Sequence, residues 1–504
     1  MVKKIHQYRV SYVAHLFFIF TTSLILPLTG MAQSGMPDDI PIQLLKAYSS
    51  MIDFNVQKTE VQLDSFNAKG NTHPFQLYIT SLDQSARLLT SGDKTDYENK
   101  KYLENVYLDE AQKLNDNNPY KFFLISEIKT HWALVKLKFG EEITAFWSLR
   151  QVYLLSNKTI KQHPDFLPLY KTHGFLQALF SGTPKKYQWI IRLFGIKPDM
   201  EEALNLLTHA YQDINPLSPE AGILISLIQA YYFNNYEKAI PICDNLLINH
   251  PNSSLVRLIY AFILIKNSND VQAQKVLSGI SMPHPGYLQI PAWYYILGEL
   301  EIHKGNYPQA ISHYRYFLSI QKGHEMIKDT HYKIAMCYWL TDQKPLAREE
   351  MEIAATRGET RSEMDIYADY MIRSGIMPNP QFLKIRYFTD GGYYNKADSV
   401  FNLVDTSLLS NKSDRVEYYY RKARLFDKCE KTDMAIEFYK NTISLQKNES
   451  WYFAPNSCLQ LGYIYIEESP ETASYYFEKV LRYDFDLYNH SIRQKAKFAL
   501  EKIQ

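Results

Sequence analysis

The side chains able to do chemistry are few in this sequence, and none falls into a catalytic spacing. No glycine-rich phosphate loop, GxSxG elbow, HExxH helix or paired His/Cys metal spacing occurs. Asp390-Gly391-Gly392 comes nearest to a glycine-rich loop, but it sits between two helical stretches and reads as a tight turn. Ser126-Glu127 is the one serine–glutamate pair in an apolar helical stretch. It would suit an envelope hydrolase built on a single glutamate only if a second carboxyl or equivalent group and a pocket stood beside it. His303 and His313 read as surface or groove residues in ordinary contact with water. The four cysteines, Cys243, Cys337, Cys429 and Cys458, lack any short pairing. Small buried thiols and a single Cys429–Cys458 bridge both remain compatible with that spacing. The expectation is therefore no catalytic residue, no metal site and no cofactor.

If the residues do not react, they must pack or bind, and composition indicates how. Gly and Pro number only 19 and 22 in 504 residues, too few breaks for many short strands, so helices are expected throughout. Forty tyrosines lie among Ala, Leu and Lys, a mixture suited to large rings fitted against small residues between helices. Lys3, Lys4 and Arg9, the apolar run Leu16 to Leu28 and the small residues Gly30 and Ala32 predict an export signal over 1–32, cleaved after Ala32. A periplasmic or other envelope location follows as an expectation, with no integral membrane segment in the mature chain. Loss of three basic residues takes the formal charge from +1 to −2. With no basic excess or basic stripe, nucleic acid is not an expected partner.

A spacing rule then runs through the C-terminal part. Alanine recurs at Ala239, Ala273, Ala310, Ala347, Ala397, Ala435 and Ala473, at intervals of 34, 37, 37, 50, 38 and 38 residues. Four residues after each stands Cys243, Leu277, Tyr314, Met351, Phe401, Tyr439 or Phe477. Twelve residues before, a small residue stands at Ala261, Gly298, Ala335 and Ala423, replaced by Leu227 and Ile385 in two copies, with Gly462 one residue out of register in the last. Two helices can lie close only where one partner is small, and an aromatic then fills the space alongside. The 50-residue interval accommodates an extra helix near 360–375, expected to bend the array. This pattern resembles the tetratricopeptide repeat, best in AWYYILGELEIHKGNYPQAISHYRYFL from Ala292. The resemblance implies an all-α fold, an α-solenoid of helix pairs wound into a right-handed superhelix.

Residues 33–210 read as a degenerate version of the same repeat, with Trp132-Ala133, Ala145 and Leu149 repeating the spacing; 211–504 is the regular array. At the junction, FSGTPKKYQWIIRLFGIKPDMEEAL resembles the segment of the tetratricopeptide family that contains the inclusion-body clearance protein and its animal relatives. It matches at Ser181, Pro184, Leu193, Gly195, Asp199 and Leu204, and departs at Ile196, Pro198 and Ala203. This narrower resemblance implies a helical binding scaffold and no chemistry.

In such superhelices the first helix of each pair lines the concave face. Tyr295, Tyr332 and Tyr420 stand at one lining position, with Trp339 and Arg424 at others, so an apolar, aromatic groove is expected. Packing of the same tyrosines against the next helix is the competing reading. The groove reading makes a protein or peptide the expected partner of a non-enzymatic scaffold, with a glycan stacked on the rings as the alternative and an envelope hydrolase as a third.

Overall fold

The computed structural model describes residues 40–183, 191–192, 195–213, 215–360 and 362–503. The proposed export signal, Pro184 and Leu193 lie outside them. The described residues form an α-solenoid of tetratricopeptide-type helix pairs. The N-terminal stretch contains α1 (Ile42–Ile52), α2 (Val56–Asn67), α3 (Phe75–Ser91), α4 (Lys94–Lys100), α5 (Leu103–Gln112), α6 (Pro119–Lys138), α7 (Glu142–Gln162), α8 (Pro168–Ser181) and α9 (Met200–Gln212). The regular pairs follow as α10 (Ser218–Tyr231) with α11 (Tyr236–Asn249), α12 (Ser254–Lys266) with α13 (Asp270–Leu277), α14 (Pro291–Lys304) with α15 (Tyr307–Ile320), and α16 (Ile327–Leu340) with α17 (Lys344–Thr356). After the single helix α18 (Glu363–Ser374) come α19 (Pro380–Asp390) with α20 (Tyr394–Phe401), α21 (Lys412–Lys428) with α22 (Thr432–Gln446), α23 (Phe453–Tyr465) with α24 (Pro470–Arg482), and the last helix α25 (Asn489–Ile503).

The seven register alanines are all fully buried, as are Ala335 and Ala423 on the facing helices. Gly298 shows why small size matters there: a Cβ added to it would overlap the Tyr314 ring. Gly462 meets the Phe477 ring in the same way, so the last pair keeps the close approach although its glycine is displaced by one residue in sequence. Gly305 closes α14 in the left-handed conformation, at φ 87°, where a side chain would be strained. Asn and Ser residues start many of these helices; Asn235, Ser253 and Asn411 each accept from a backbone N–H of the first turn.

The inserted α18 is pinned by a cap that it lends to a neighbour. Asp365 is fully buried and accepts from the backbone N–H groups of Met326 and Asp329, at 2.9 and 3.1 Å, at the start of α16. Beyond the insertion, α19 packs on both α16 and α14. The turn after α19 reaches α13, where Asp270 N–H donates to Gly391 O. The array folds back on itself at this point.

Successive turns of the solenoid also touch. Leu288 N–H donates to Phe54 O at 2.8 Å, and Lys138 pairs with Glu325 at 2.7 Å. At the C-terminal end, α25 sets Phe498 edge-on against Tyr232 and donates from Gln494 to Ser181 O. One apolar core runs from Leu44 through residue 210 to Leu340 and takes in Ala368, Leu383, Tyr387 and Phe498. No described helix is long and apolar enough to cross a membrane.

Candidate functional site

A cavity of about 710 Å³ occupies the middle of the solenoid. Its wall comes mainly from the first helix of each pair: Tyr231 on α10, Lys266 on α12, Glu299 on α14, Lys333 on α16, Arg386 on α19, Arg424 on α21 and Gln460 on α23. Lys138 on α6 and Lys495 on α25 close the two sides.

The lining differs from the expected apolar, aromatic groove. Tyr295, Tyr332 and Tyr420 are only 2 %, 3 % and 1 % exposed, because their rings are wedged between helices. Tyr295 meets Tyr314 and Phe317, Tyr332 meets Tyr367 edge-on, and Tyr420 meets Tyr452 and Phe453. Tyr295 donates to Asp329 Oδ2 at 2.6 Å and accepts from Lys333 Nζ at 2.6 Å, and Lys333 also pairs with Glu299. The Tyr420 hydroxyl accepts from Asn456, whereas that of Tyr332 has no partner among the described residues. Trp339 is not part of the cavity wall; its indole N–H donates to Pro378 O at 3.0 Å. Of the five expected groove residues, Tyr332, Tyr420 and Arg424 reach the cavity, the two tyrosines by an edge. No open tyrosine face is left in this set for a sugar ring to stack on.

Charge dominates instead. Arg424 binds Asp390 Oδ1 at 3.1 Å, and Arg386 approaches the other oxygen at 3.6 Å. Enclosure opposes charge on Asp390, yet these two guanidinium groups hold it below the usual carboxylate range. Arg421 is taken by Glu417 and the Tyr452 hydroxyl. Lys266 lies exposed to the cavity, and Lys428 and Lys495 are half-buried; among the described residues, none of the three has a carboxylate partner within ion-pair distance. Enclosure lowers the pKa of Lys266 and of Lys428, and lowers that of Lys495 to about 8, with Lys266, Arg424 and Lys428 adding like-charge repulsion to the last.

Most of these charges were not singled out from sequence, although a signal exists. The residue after the small helix-A position is Phe262, Glu299, Arg386 or Arg424 in four copies, and all four line the cavity. Nothing comparable marks Lys428 or Lys495.

Other candidate residues have structural surroundings. His303 stands in the cavity wall but is buried, with Asp270 Oδ2 at 2.9 Å, so it is a groove residue without the expected contact with water; burial opposes its charge, but Asp270 raises its pKa. His313 is half-buried beside Gln309. Gly391 and Gly392 form the α19–α20 turn, packed against His303 and Ser268. All four cysteines are free thiols, so no Cys429–Cys458 bridge forms. At the junction, Gly195 takes φ 75° and Asp199 caps α9 through the Glu201 and Glu202 N–H groups. The Ser181 carbonyl receives the α25 contact, Ile196 and Ala203 are buried, and Leu204 and Pro198 are half-buried.

Ser126 and Glu127 are buried in the N-terminal core. Glu127 pairs with Lys171 at 2.6 Å, and Lys171 reaches Glu220 at 2.5 Å. Thr172 donates to Glu127, while Tyr48 and Tyr78 donate to Glu220. Burial would raise the Glu127 pKa, but Lys171 and His131 bring it down to about 2. A glycosidase acid needs the opposite shift. The hollow beside it is about 60 Å³, too small for a sugar.

No protein-family model matches the chain, and no curated protein matches it. Solved structures similar to it include an IFIT1 monomeric mutant with Gppp-AAAA (11 % identity, 98 % of this chain and 100 % of that one, TM-score 0.33). Others are NprR in complex with its cognate peptide NprX (13 %, 81 % and 99 %, TM-score 0.30) and the P58(IPK) TPR domain (16 %, 85 % and 99 %, TM-score 0.20).

Proposed function

We propose that this chain is an exported, non-catalytic interaction scaffold that holds an extended segment of a protein partner in its central cavity. One observation carries the reading. The cavity is walled mainly by the inward helices of successive repeats, so side chains from Leu89 to Lys495 converge on a single space of ligand-binding size. Its mixture of charged heads and ring edges offers a peptide both hydrogen-bond partners and apolar contact. The Glu127 environment, with its ionised carboxylate and closed surroundings, supports a role without catalysis. Export is supported by the basic, apolar and small-residue succession before Gln33, and implies an envelope location.

The test places a photo-crosslinking residue at Arg386 in the cavity or at Ile248, which is 76 % exposed on the outer side. Cells expressing each full chain are irradiated and the adducts identified by mass spectrometry. A protein adduct formed from position 386 and not from 248 is the expected result. Adducts formed equally from both positions, or from 248 alone, would remove the cavity reading. Amino-terminal sequencing of the chain recovered from an envelope fraction should begin at Gln33; retention of the first 32 residues on the chain would refute the cleaved signal.

A further inference from the structure

The three lysines without a carboxylate partner are the observation that the scaffold reading leaves unused. Lys266 comes from the end of α12, Lys428 from the end of α21 and Lys495 from the middle of α25, helices brought together only by closure of the solenoid. Counted over the whole wall, eight lysine and arginine side chains face six carboxylates, among them Glu299, Glu363, Asp390 and Asp427. Asp390 is engaged by Arg386 and Arg424. Asp427 accepts from the Tyr439 hydroxyl at 2.9 Å, and Glu363 accepts from Ser491 N–H at 3.2 Å. Two positive charges are therefore uncompensated.

A protein that needed only packing here would have little use for such an arrangement. Like charges gathered in an enclosed space repel one another and lose hydration, and apolar or paired side chains would fill it at lower free energy. Loss of hydration lowers the pKa of all three lysines, and like-charge repulsion adds to it from Lys333 at Lys266, from Arg424 at Lys428, and from Lys266, Arg424 and Lys428 at Lys495. A ring flanks two of the ammonium groups: Phe262 lies 5.4 Å from Lys266 Nζ and Tyr231 lies 6.0 Å from Lys495 Nζ. These contacts steady the lysines while leaving their N–H donors unfilled.

We propose that Lys266, Lys428 and Lys495 form a binding site for a ligand carrying two or more oxyanion groups, seated in the central cavity between α12, α21 and α25. An oxyanion bridging the lysines would replace their mutual repulsion by charge-assisted hydrogen bonds. Phosphate groups on a small molecule and carboxylates on an acidic peptide share that chemistry. The site does not depend on the scaffold reading, since a small polyanion could be held with no protein partner.

The experiment is isothermal titration calorimetry on the mature chain at low salt, with inorganic tripolyphosphate in one arm and a hexaglutamate peptide in the other. Saturable one-site binding in at least one arm is expected, and the arm that binds identifies the source of the oxyanions. Binding should weaken about tenfold or more in the triple variant K266M/K428M/K495M and fall as pH rises through about 8, where Lys495 loses its proton. Without ligand, the triple variant should melt at a higher temperature than the parent, because the repulsion is gone. The single variant K495Q, weaker in binding and equal or higher in melting temperature, serves if the triple variant does not fold. No saturable binding in either arm, or equal affinity in parent and variants, would overturn the site. Lower melting temperatures in both variants would overturn the repulsion on which it rests.

Discussion

Substitution of Gly298 by alanine sets local helix preference against tertiary packing, and the two predict opposite signs. Gly298 lies inside α14, where replacement by alanine in a solvated helix would stabilise the chain by about 1 kcal/mol. The structure opposes that gain. The new methyl would overlap the Tyr314 ring, with Cδ1 at 2.6 Å and Cζ at 2.8 Å. The ring has no free direction in which to yield. It is fully buried, its hydroxyl donates to Glu299 at 2.5 Å, and the Tyr295 ring stands 5.8 Å away. Overpacking of this kind costs about 1–3 kcal/mol, so the net expectation is a loss of up to about 2 kcal/mol. Replacing Tyr314 by leucine in the same chain should relieve the overlap and make the added alanine much less costly. The assay is urea unfolding followed through the fluorescence of Trp293, which is buried on the same helix, with native-state hydrogen exchange over 291–320 to keep the readout local in a repeat array. A higher urea midpoint for G298A than for the parent would refute the close helix approach and the repeat register built on it.

Other expectations concern the polar groups in the interior. Lys171→Met leaves Glu127 and Glu220 buried without their shared cation and should cost about 3–5 kcal/mol by chemical denaturation; a loss below 1 kcal/mol would mean that the network is not formed. His173 is buried against Ser156, and burial, with Lys161 nearby, lowers its pKa to about 4. The unfolded chain then binds a proton near pH 6.5 that the folded chain refuses, so stability falls as pH drops from 6.5 to 4, by up to about 3 kcal/mol from this group. His173→Gln should flatten that slope, and an unchanged slope would count against the assignment. Asp365→Ala removes the acceptor that α18 supplies to α16, and hydrogen exchange should accelerate at Met326, Asp329 and along 363–374; unchanged protection there would show that the cap does not anchor the insertion.

The repeat was legible because it is a local rule. Ala310, Tyr314 and Gly298 lie within a single helix pair, and their spacing follows from helical periodicity and the need for one small partner at each close approach. The same rule applies to Ala239, Ala273 and the later copies, each of which is fully buried. The helix over 363–374 was visible as surplus length between Ala347 and Ala397, but its attachment through Asp365 was not, because the partner N–H groups lie 36 and 39 residues away. Tyr295, Tyr332 and Tyr420 mark the point where local reasoning stopped. A position on the concave side of a helix does not say whether the ring faces open space or the next repeat, and tight stacking of the pairs buries all three.

The amino-acid sequence by itself determined that this chain is helical, that its helices pair around small residues, and where the register is interrupted, since periodicity and side-chain size act over a few turns of helix. Only the tertiary structure decided what the array encloses. Lys266, Lys428 and Lys495 meet because the solenoid closes and α25 returns to the level of Tyr232, and no property of their neighbours in sequence encodes that meeting. The charge of the cavity is a sum over residues hundreds of positions apart, set by the pitch at which the repeats wind.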